Sequence, residues 1–286
     1  MSDVSAVIVN YNAREYLAPC VESLRAAGVA EVIVADNDSR DGSAQALAAA
    51  DPEATWLPTG GNFGFGGGAN RGAAQASGHY LLICNPDITV EPGAVRALVD
   101  AMEKDRRLAI VGPAILNPDG TVYPSPRVFP RLRDAAGHAF LGMARPRNRW
   151  TVRYRMLDFD RTSSSNDVDW VSGSCFLVRR EAWDALGGFD EGYFMYAEDT
   201  DLCWRAHRAG WRVGFEPAAR VVHVQGASTS KTPYRMIRAH HRSLLRFSAR
   251  TANGPKRALL PVIAVALALR TLIALGHRAL NRPATR

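Results

Sequence analysis

Glu198, Asp199 and Asp201 place three carboxylates within four residues, directly after the aromatic run Tyr193-Phe194-Met195-Tyr196. Carboxylates this close raise one another's pKa and cost free energy unless something uses or neutralises them. Aromatic neighbours add to that cost by displacing water. The apolar, helix-like stretch Leu202-Cys203-Trp204 follows at once. A helix starting near Thr200 therefore gives a second account, since acids in a first turn complement the helix dipole. On these residues alone, a helix cap and a catalytic acid–base group both stand.

Four other groups could do chemistry. Asp36-Asn37-Asp38-Ser39 reads either as an Asx-type turn or as an acid placed to accept hydrogen bonds from a base or ribose. Gly60–Gly68 holds six glycines in nine residues, suiting a flexible loop or a backbone that approaches a ligand closely. It is neither a Walker loop nor a clean dinucleotide fingerprint. Asn85-Pro86-Asp87 is a proline-containing turn, or a carboxylate for a divalent cation bridging two phosphates. His223 is a half-exposed strand histidine, or an imidazole that completes a metal shell or touches phosphate.

The elements that must position these groups are short apolar runs alternating with amphipathic ones. Strands are expected at Ser5–Val9, Glu31–Ala35, Ala54–Leu57 and His79–Cys84. Helices are expected over Arg14–Ala27 and Ser43–Ala50, and from the glycine run to about Ala76. That alternation predicts an α/β fold with a mainly parallel sheet sandwiched by helices. Asn10, Asp36 and Asn85–Asp87 then fall at the carboxyl ends of strands, where such sheets bind ligands. Residues 113–167, rich in proline, read as a loop-rich insertion bordering an acceptor. Trp170–Val178 reads as a strand running into a helix at Arg180–Leu186. Further strands are expected near Val213–Phe215 and Val221–Val224.

Composition bounds the partners. Of 286 residues, 47% are hydrophobic, which decides against disorder. Cys20, Cys84, Cys175 and Cys203 form no CxxC pair and read as buried thiols in a reducing, cytosolic compartment, and no signal peptide is evident. The net charge of +7 is uneven: from Arg220 onward there are thirteen Lys/Arg and no acid, leaving 22 of the 35 Lys/Arg against all 28 Asp/Glu in residues 1–219. A basic tail on an acidic body points to an anionic surface. Arg235, Arg238, Arg242, Arg246 and Arg250 form one helical stripe. Ala258–Leu269 adds twelve uncharged residues, short of the ~20 needed to span a bilayer. An interfacial helix on an anionic leaflet is expected; packing against the body or a second subunit is the alternative. No nucleic-acid module is recognisable, so no nucleic acid is expected as a partner.

Taken in order, Asn10-Tyr11-Asn12, Ala35-Asp36-Asn37, Gly61-Asn62-Phe63-Gly64, Asn85-Pro86-Asp87, Trp170-Val171-Ser172-Gly173 and Glu198-Asp199-Thr200-Asp201 resemble the family 2 glycosyltransferases over Val4 to about Val224. Within that family, Asp119–Ser125 and Gly187–Asp201 look most like rhamnosyltransferases of cell-envelope assembly. The resemblance implies a single nucleotide-diphospho-sugar-binding domain of GT-A type over 1–228, with a nucleotide-sugar half (1–112) and an acceptor and catalytic half (113–228). Basic amphipathic helices over 229–286 would contact a membrane surface or a second subunit, at the inner face of the plasma membrane.

The resemblance also implies an inverting transfer, with dTDP-L-rhamnose as donor and a polyprenyl-diphosphate-linked GlcNAc or similar glycan as acceptor. Another sugar nucleotide, or a non-catalytic sugar-nucleotide-binding protein, is the alternative. Asp36, Asn10, Asn62, Asn70 and Asn85 would bind the nucleotide sugar, and Trp170 and Gly173 the acceptor. Asp87 and His223 would hold Mg2+ or Mn2+, with Asn85 in the first position of the family's Asp-x-Asp motif. Asp199 would be the general base and Glu198 its acceptor-side neighbour, leaving Asp201 a structural role. The processive synthases' Gln-x-x-Arg-Trp signature is absent, so one sugar per acceptor is expected.

Overall fold

The computed structural model describes residues 3–130, 141, 145–225 and 233–280. Its centre is an eight-stranded sheet of β1 (Val4–Asn10), β2 (Glu31–Asp36), β3 (Thr55–Pro58), β4 (Tyr80–Cys84), β5 (Ile88–Val90), β6 (Leu108–Leu116), β7 (Cys175–Arg179) and β8 (Arg212–His223), ordered β3-β2-β1-β4-β7-β6-β8-β5. The pairings β3–β2, β2–β1, β1–β4 and β6–β8 are parallel, while β4–β7, β7–β6 and β8–β5 are antiparallel. The expected α/β sheet is therefore present and mixed. β1, β4 and β6 are buried along their whole length. That fits strands covered on both faces, by α1 (Arg14–Ala26), α2 (Ser43–Ala50) and α4 (Ala94–Lys104) on one side and by α3 (Gly64–Gln75) with residues 168–206 on the other.

Three local expectations need correcting. β6 continues to Leu116, past the proline at which irregular structure was expected to begin. The register against β8 shifts between Pro113 and Ala114, and a bulge is where a ladder accommodates a residue without an N–H. The strand expected over Trp170–Val178 starts only at Cys175, because the preceding backbone turns aside to serve Asp199. Finally, the glycine run is helical from Gly64. Gly64, Gly68 and Gly72 share one face of α3. A Cβ on Gly68 would meet Val9 Cγ1 at 2.7 Å, and one on Gly72 would meet Val7 Cγ1 at 2.4 Å. These glycines bring α3 down onto β1 rather than bringing backbone to a ligand.

Two short helices lie within the middle segment and after β7: α5 (Arg149–Tyr154) and α6 (Arg180–Leu186). α7 (Glu198–Arg208) begins at the acidic cluster. The tail forms α8 (Pro233–Thr251), a 3-10 turn (Gly254–Leu259) and α9 (Leu260–Leu280), so both expected tail helices are present. The expected domain boundary near 228 lies outside the described residues.

Gly72→Ala is expected to destabilise the fold. Overpacking against Val7 costs about 1–3 kcal/mol, more than the ~1 kcal/mol that alanine gains in a helix interior. A denaturant midpoint equal to or above that of the wild type would contradict this tight seam.

Candidate active site

The carboxyl ends of β1, β2 and β4 open into a cleft of about 430 Å³ that also reaches α7 and α8. Asn10 and Asp36 are register partners on adjacent strands. Asn10 Nδ2 donates to Asp36 Oδ1 at 2.9 Å and to Ser39 Oγ at 3.0 Å, and the Ser39 N–H donates to Asp36 Oδ2 at 3.0 Å. Both side chains sit one layer behind the cleft wall; Asn37, Asn62 and Asn85 line it. Asn70 is also outside the lining. Its amide donates to the Phe189 carbonyl at 3.0 Å and accepts from the Phe189 N–H at 2.9 Å, tying α3 to the turn before the acidic cluster. Asn37, which the sequence reading passed over, donates to the Gly64 carbonyl at 2.8 Å and faces the cleft.

Asp87 and His223 are 136 residues apart, yet the antiparallel pairing of β5 with β8 sets them side by side. His223 Nε2 is 3.1 Å from Asp87 Oδ1 and 3.2 Å from Asn85 Nδ2. The Asp87 side chain is buried. Among the described residues no group of three or more His, Cys, Asp or Glu is placed to hold a metal ion; here the chain offers one carboxylate and one imidazole. That donor set fits a hard divalent cation of the Mg2+ type, which takes one or two carboxylates and leaves its other positions to phosphate and water.

The acidic cluster begins α7. Two residues ahead of it, Tyr196 (φ 68°) and Ala197 (φ 63°), occupy the left-handed region without being glycine. Such residues cost about 1–3 kcal/mol each and persist where surrounding structure holds them. Here Ser243 Oγ of α8 donates to the Met195 carbonyl at 2.8 Å, and the Tyr196 ring meets His240 edge-on at 5.1 Å. On the other side the Phe65 N–H donates to the Phe194 carbonyl at 3.2 Å. A Cβ on Gly64 would lie 1.8 Å from that oxygen, so only glycine fits at the start of α3.

Within the cluster the three acids divide. Asp199 accepts from the N–H of Gly173 at 2.8 Å, the N–H of Thr200 at 2.7 Å and Thr200 Oγ1 at 3.2 Å. Burial pushes its pKa up, against these donors and the charge of Arg127. Glu198 is less well met: its Oε2 is buried with no partner, and burial followed by the charge of Asp199 pushes its pKa up to about 8 against a backbone hydrogen bond. One negative charge shared by two buried neighbours therefore rests on Asp199, with Glu198 a neutral acid. Asp201 is fully buried in an ionic network, paired with Arg205 Nε at 2.7 Å and Arg250 Nε at 3.0 Å. Its structural role agrees with expectation.

The acceptor-side residues behave differently. Trp170 and Gly173 both line the cleft, and Gly173 also backs Asp199 through its N–H. Arg127 was not singled out from sequence. It lies 5.0 Å from the Trp170 ring centroid and 5.3 Å from that of Tyr123, beside Asp199. The basic stripe is also divided. Arg246 and Arg250 turn to the body and both pair with Asp190, at 2.9 and 2.6 Å. Two of its five guanidiniums thus fasten α8 to the catalytic half instead of facing outward.

A nucleotide-sized cleft at strand carboxyl ends, a carboxylate–imidazole pair at its inner edge and one activated carboxylate across from it define a nucleotide-sugar transferase domain of GT-A type. Comparison with known proteins agrees. The model of glycosyl transferase family 2 matches residues 5–187. Over 272 residues the chain is 40% identical to the N-acetylglucosaminyl-diphospho-decaprenol L-rhamnosyltransferase of Mycobacterium tuberculosis, covering 90% of this chain and 88% of that one. It is 30% identical to rhamnosyltransferase WbbL of Escherichia coli, over 67% of this chain and 72% of the other. Among solved structures, the mannosyltransferase PcManGT of Pyrobaculum calidifontis, in complex with GDP-Man and Mn2+, shares the fold (TM-score 0.58, 16% identity, 98% of this chain and 76% of that one). The chain belongs to glycosyl transferase family 2.

Glu198 gives a pH signature. Unfolded, its carboxyl ionises above about 4.5; folded, it keeps its proton to about 8. Between these values the unfolded state binds fewer protons, so stability falls as pH rises. Glu198→Gln removes that slope. Its Tm is expected to exceed that of the wild type at pH 8, with the difference vanishing toward pH 4.5. A difference constant across that range would refute the neutral-acid assignment.

Proposed function

We propose that this chain transfers L-rhamnose from dTDP-L-rhamnose, with inversion and one sugar at a time, to a GlcNAc carried on a polyprenyl diphosphate. The observation that carries the reading is the singly charged Glu198–Asp199 pair, set in the same cleft as Asp87 and His223. The extent of the match to the mycobacterial rhamnosyltransferase supports the choice of sugar and acceptor.

Asp199 takes the proton of the acceptor hydroxyl as that oxygen attacks the anomeric carbon from the face opposite the nucleotide. The bond from that carbon to the diphosphate oxygen breaks, and the electron pair leaves with dTDP. Asp87 and His223 would hold Mg2+ or Mn2+, which when bound neutralises charge on the departing diphosphate. Asn37, Asn62 and Asn85 line the donor side, with Asn10 and Asp36 buttressing them. Glu198, uncharged, keeps a second anion away from the base and can donate a hydrogen bond to the acceptor. Trp170 gives the acceptor sugar an apolar face.

Asp199→Asn is expected to fold and bind dTDP like the wild type while transfer falls by at least about 10²-fold, the usual worth of a positioned general base. Turnover near the wild-type rate would sink the assignment.

The reading extends to the tail. Gly254–Gly276 is 23 residues long and contains an 18-residue stretch of mean hydropathy 2.4, long and apolar enough to cross a membrane and with none of it buried. The helical segment is thus longer than the twelve-residue run expected from sequence. Arg270 interrupts it and Lys256 and Arg257 lie in its first turn, which favours a helix lying on an anionic leaflet over a span. Val262, Val265, Leu269, Leu272 and Ile273 are all exposed. Replacing Val265 and Leu272 together by Asp is expected to cut binding to anionic vesicles by about tenfold or more, from the apolar burial lost. Unchanged binding with a shift from dimer to monomer would instead give this face to a second copy of the chain.

A further inference from the structure

The cleft has two chemically different kinds of lining. One, at the strand termini, is polar: Asn37, Asn62, Asn85, Asp87 and His223. The other is built by α8 and the loop before α7, where Arg235, Met236, His240 and Leu244 face Phe194. Met236, His240 and Leu244 recur every fourth residue, one stripe of α8 turned to the cleft. A sugar alone calls for hydrogen-bonding side chains and an aromatic face. A wall of methionine, leucine and arginine suits a ligand that joins an anion to a hydrocarbon.

Arg235 is the cationic part of that wall. Its guanidinium carbon stands 4.8 Å from the centroid of the Phe194 ring. Phe194 is itself pinned by its carbonyl at the start of α3, so the stacking partner is fixed. Arg246 and Arg250, further along the helix, are neutralised by Asp190 and Asp201. Among the described residues no carboxylate pairs with Arg235, and its side chain is exposed. An arginine stacked on a fixed ring, with its N–H groups free to turn to an anion, is pre-organised for phosphate.

Charge accounting points to the same ligand. A sugar nucleotide brings one diphosphate, for which Asp87 and His223 can supply a cation. A lipid-linked acceptor brings a second diphosphate, which needs its own positive partner away from the carboxylates of α7. We propose that α8 forms the acceptor subsite: Arg235 takes the diphosphate of a polyprenyl-diphosphate acceptor, and Met236 and Leu244 receive its first isoprene units. This rests on the functional reading above and adds to it the residues that select a lipid diphosphate over a free sugar. α8 also carries α9, held to it where Thr271 Oγ1 and His241 Nδ1 lie 2.9 Å apart. The helix that walls the cleft is therefore the one that bears the apolar outer helix.

The test is equilibrium binding, which needs no turnover. Titrate farnesyl diphosphate, farnesol and dTDP, each with Mg2+, into full-length wild-type protein, Arg235→Gln and Arg235→Lys. Arg235→Gln is expected to weaken farnesyl diphosphate by about tenfold or more, the usual loss for a hydrogen bond to a charged group. Lys should recover part of that loss. Farnesol should bind both forms alike, and dTDP should bind with unchanged affinity, since its diphosphate is assigned to Asp87 and His223. Farnesyl diphosphate binding that is absent in the wild type, or unchanged in Arg235→Gln, overturns the subsite. So does an equal loss of dTDP, which would assign the guanidinium to the donor. A wild-type enzyme that binds farnesyl diphosphate through Arg235 yet transfers no rhamnose would overturn the rhamnosyl reading and leave the subsite standing.

Discussion

Two adjacent carboxylates removed from water can carry one negative charge between them but not two, and the first turn of α7 is arranged to decide which one carries it. Asp199 receives the N–H groups of Gly173 and Thr200 and the Thr200 hydroxyl, whereas Glu198 Oε2 receives nothing. A charge is stable where donors meet it and costly where they do not. Much of the catalytic half follows from this. The segment before β7 bends so that Gly173 can offer its N–H, β7 starts late, and Tyr196 and Ala197 accept left-handed backbone so that both acids enter the helix from the cleft side.

That strained entry does not hold itself. α3 presses on it from one side, through a position where only glycine fits, and α8 closes it from the other. The ionic bridge from Arg246 and Arg250 to Asp190 and Asp201 makes the tail helix part of the catalytic half. An acidic body and a basic tail, visible as a charge asymmetry, here become specific contacts. The consequence is economical: a helix that could have been only a membrane anchor also braces the turn that carries Glu198 and Asp199 and walls the cleft.

The class of fold and the candidate groups were legible because they depend on local pattern. Apolar runs separated by amphipathic ones, with Asn10, Asp36 and Asp87 at their ends, identify strands and their carboxyl termini without reference to tertiary contacts. What the pattern could not carry was the function of residues whose partners are remote in sequence. Asn70 and Gly68 resemble ligand-binding elements of a glycine-rich loop, yet one ties α3 to the Phe189 turn and the other seats α3 on β1. Arg127 has no motif around it and Arg235 read only as one member of a basic stripe, and only the cleft sets them apart.

By itself the sequence determined the family, the alternating architecture and the three acids at positions 198, 199 and 201, since residue type and spacing are enough to bring carboxylates together within one helical turn. Only the tertiary structure decided how those acids differ. Their pKa values depend on burial and on donors that arrive from Gly173, 26 positions away, and on a charge brought by Arg127. The structure likewise paired Asp87 with His223 across 136 residues and turned two of the five arginines of an apparent membrane-binding stripe inward. Each of these is an electrostatic outcome, and electrostatic energies are set by distance and solvent exclusion, which the linear order of a chain does not contain.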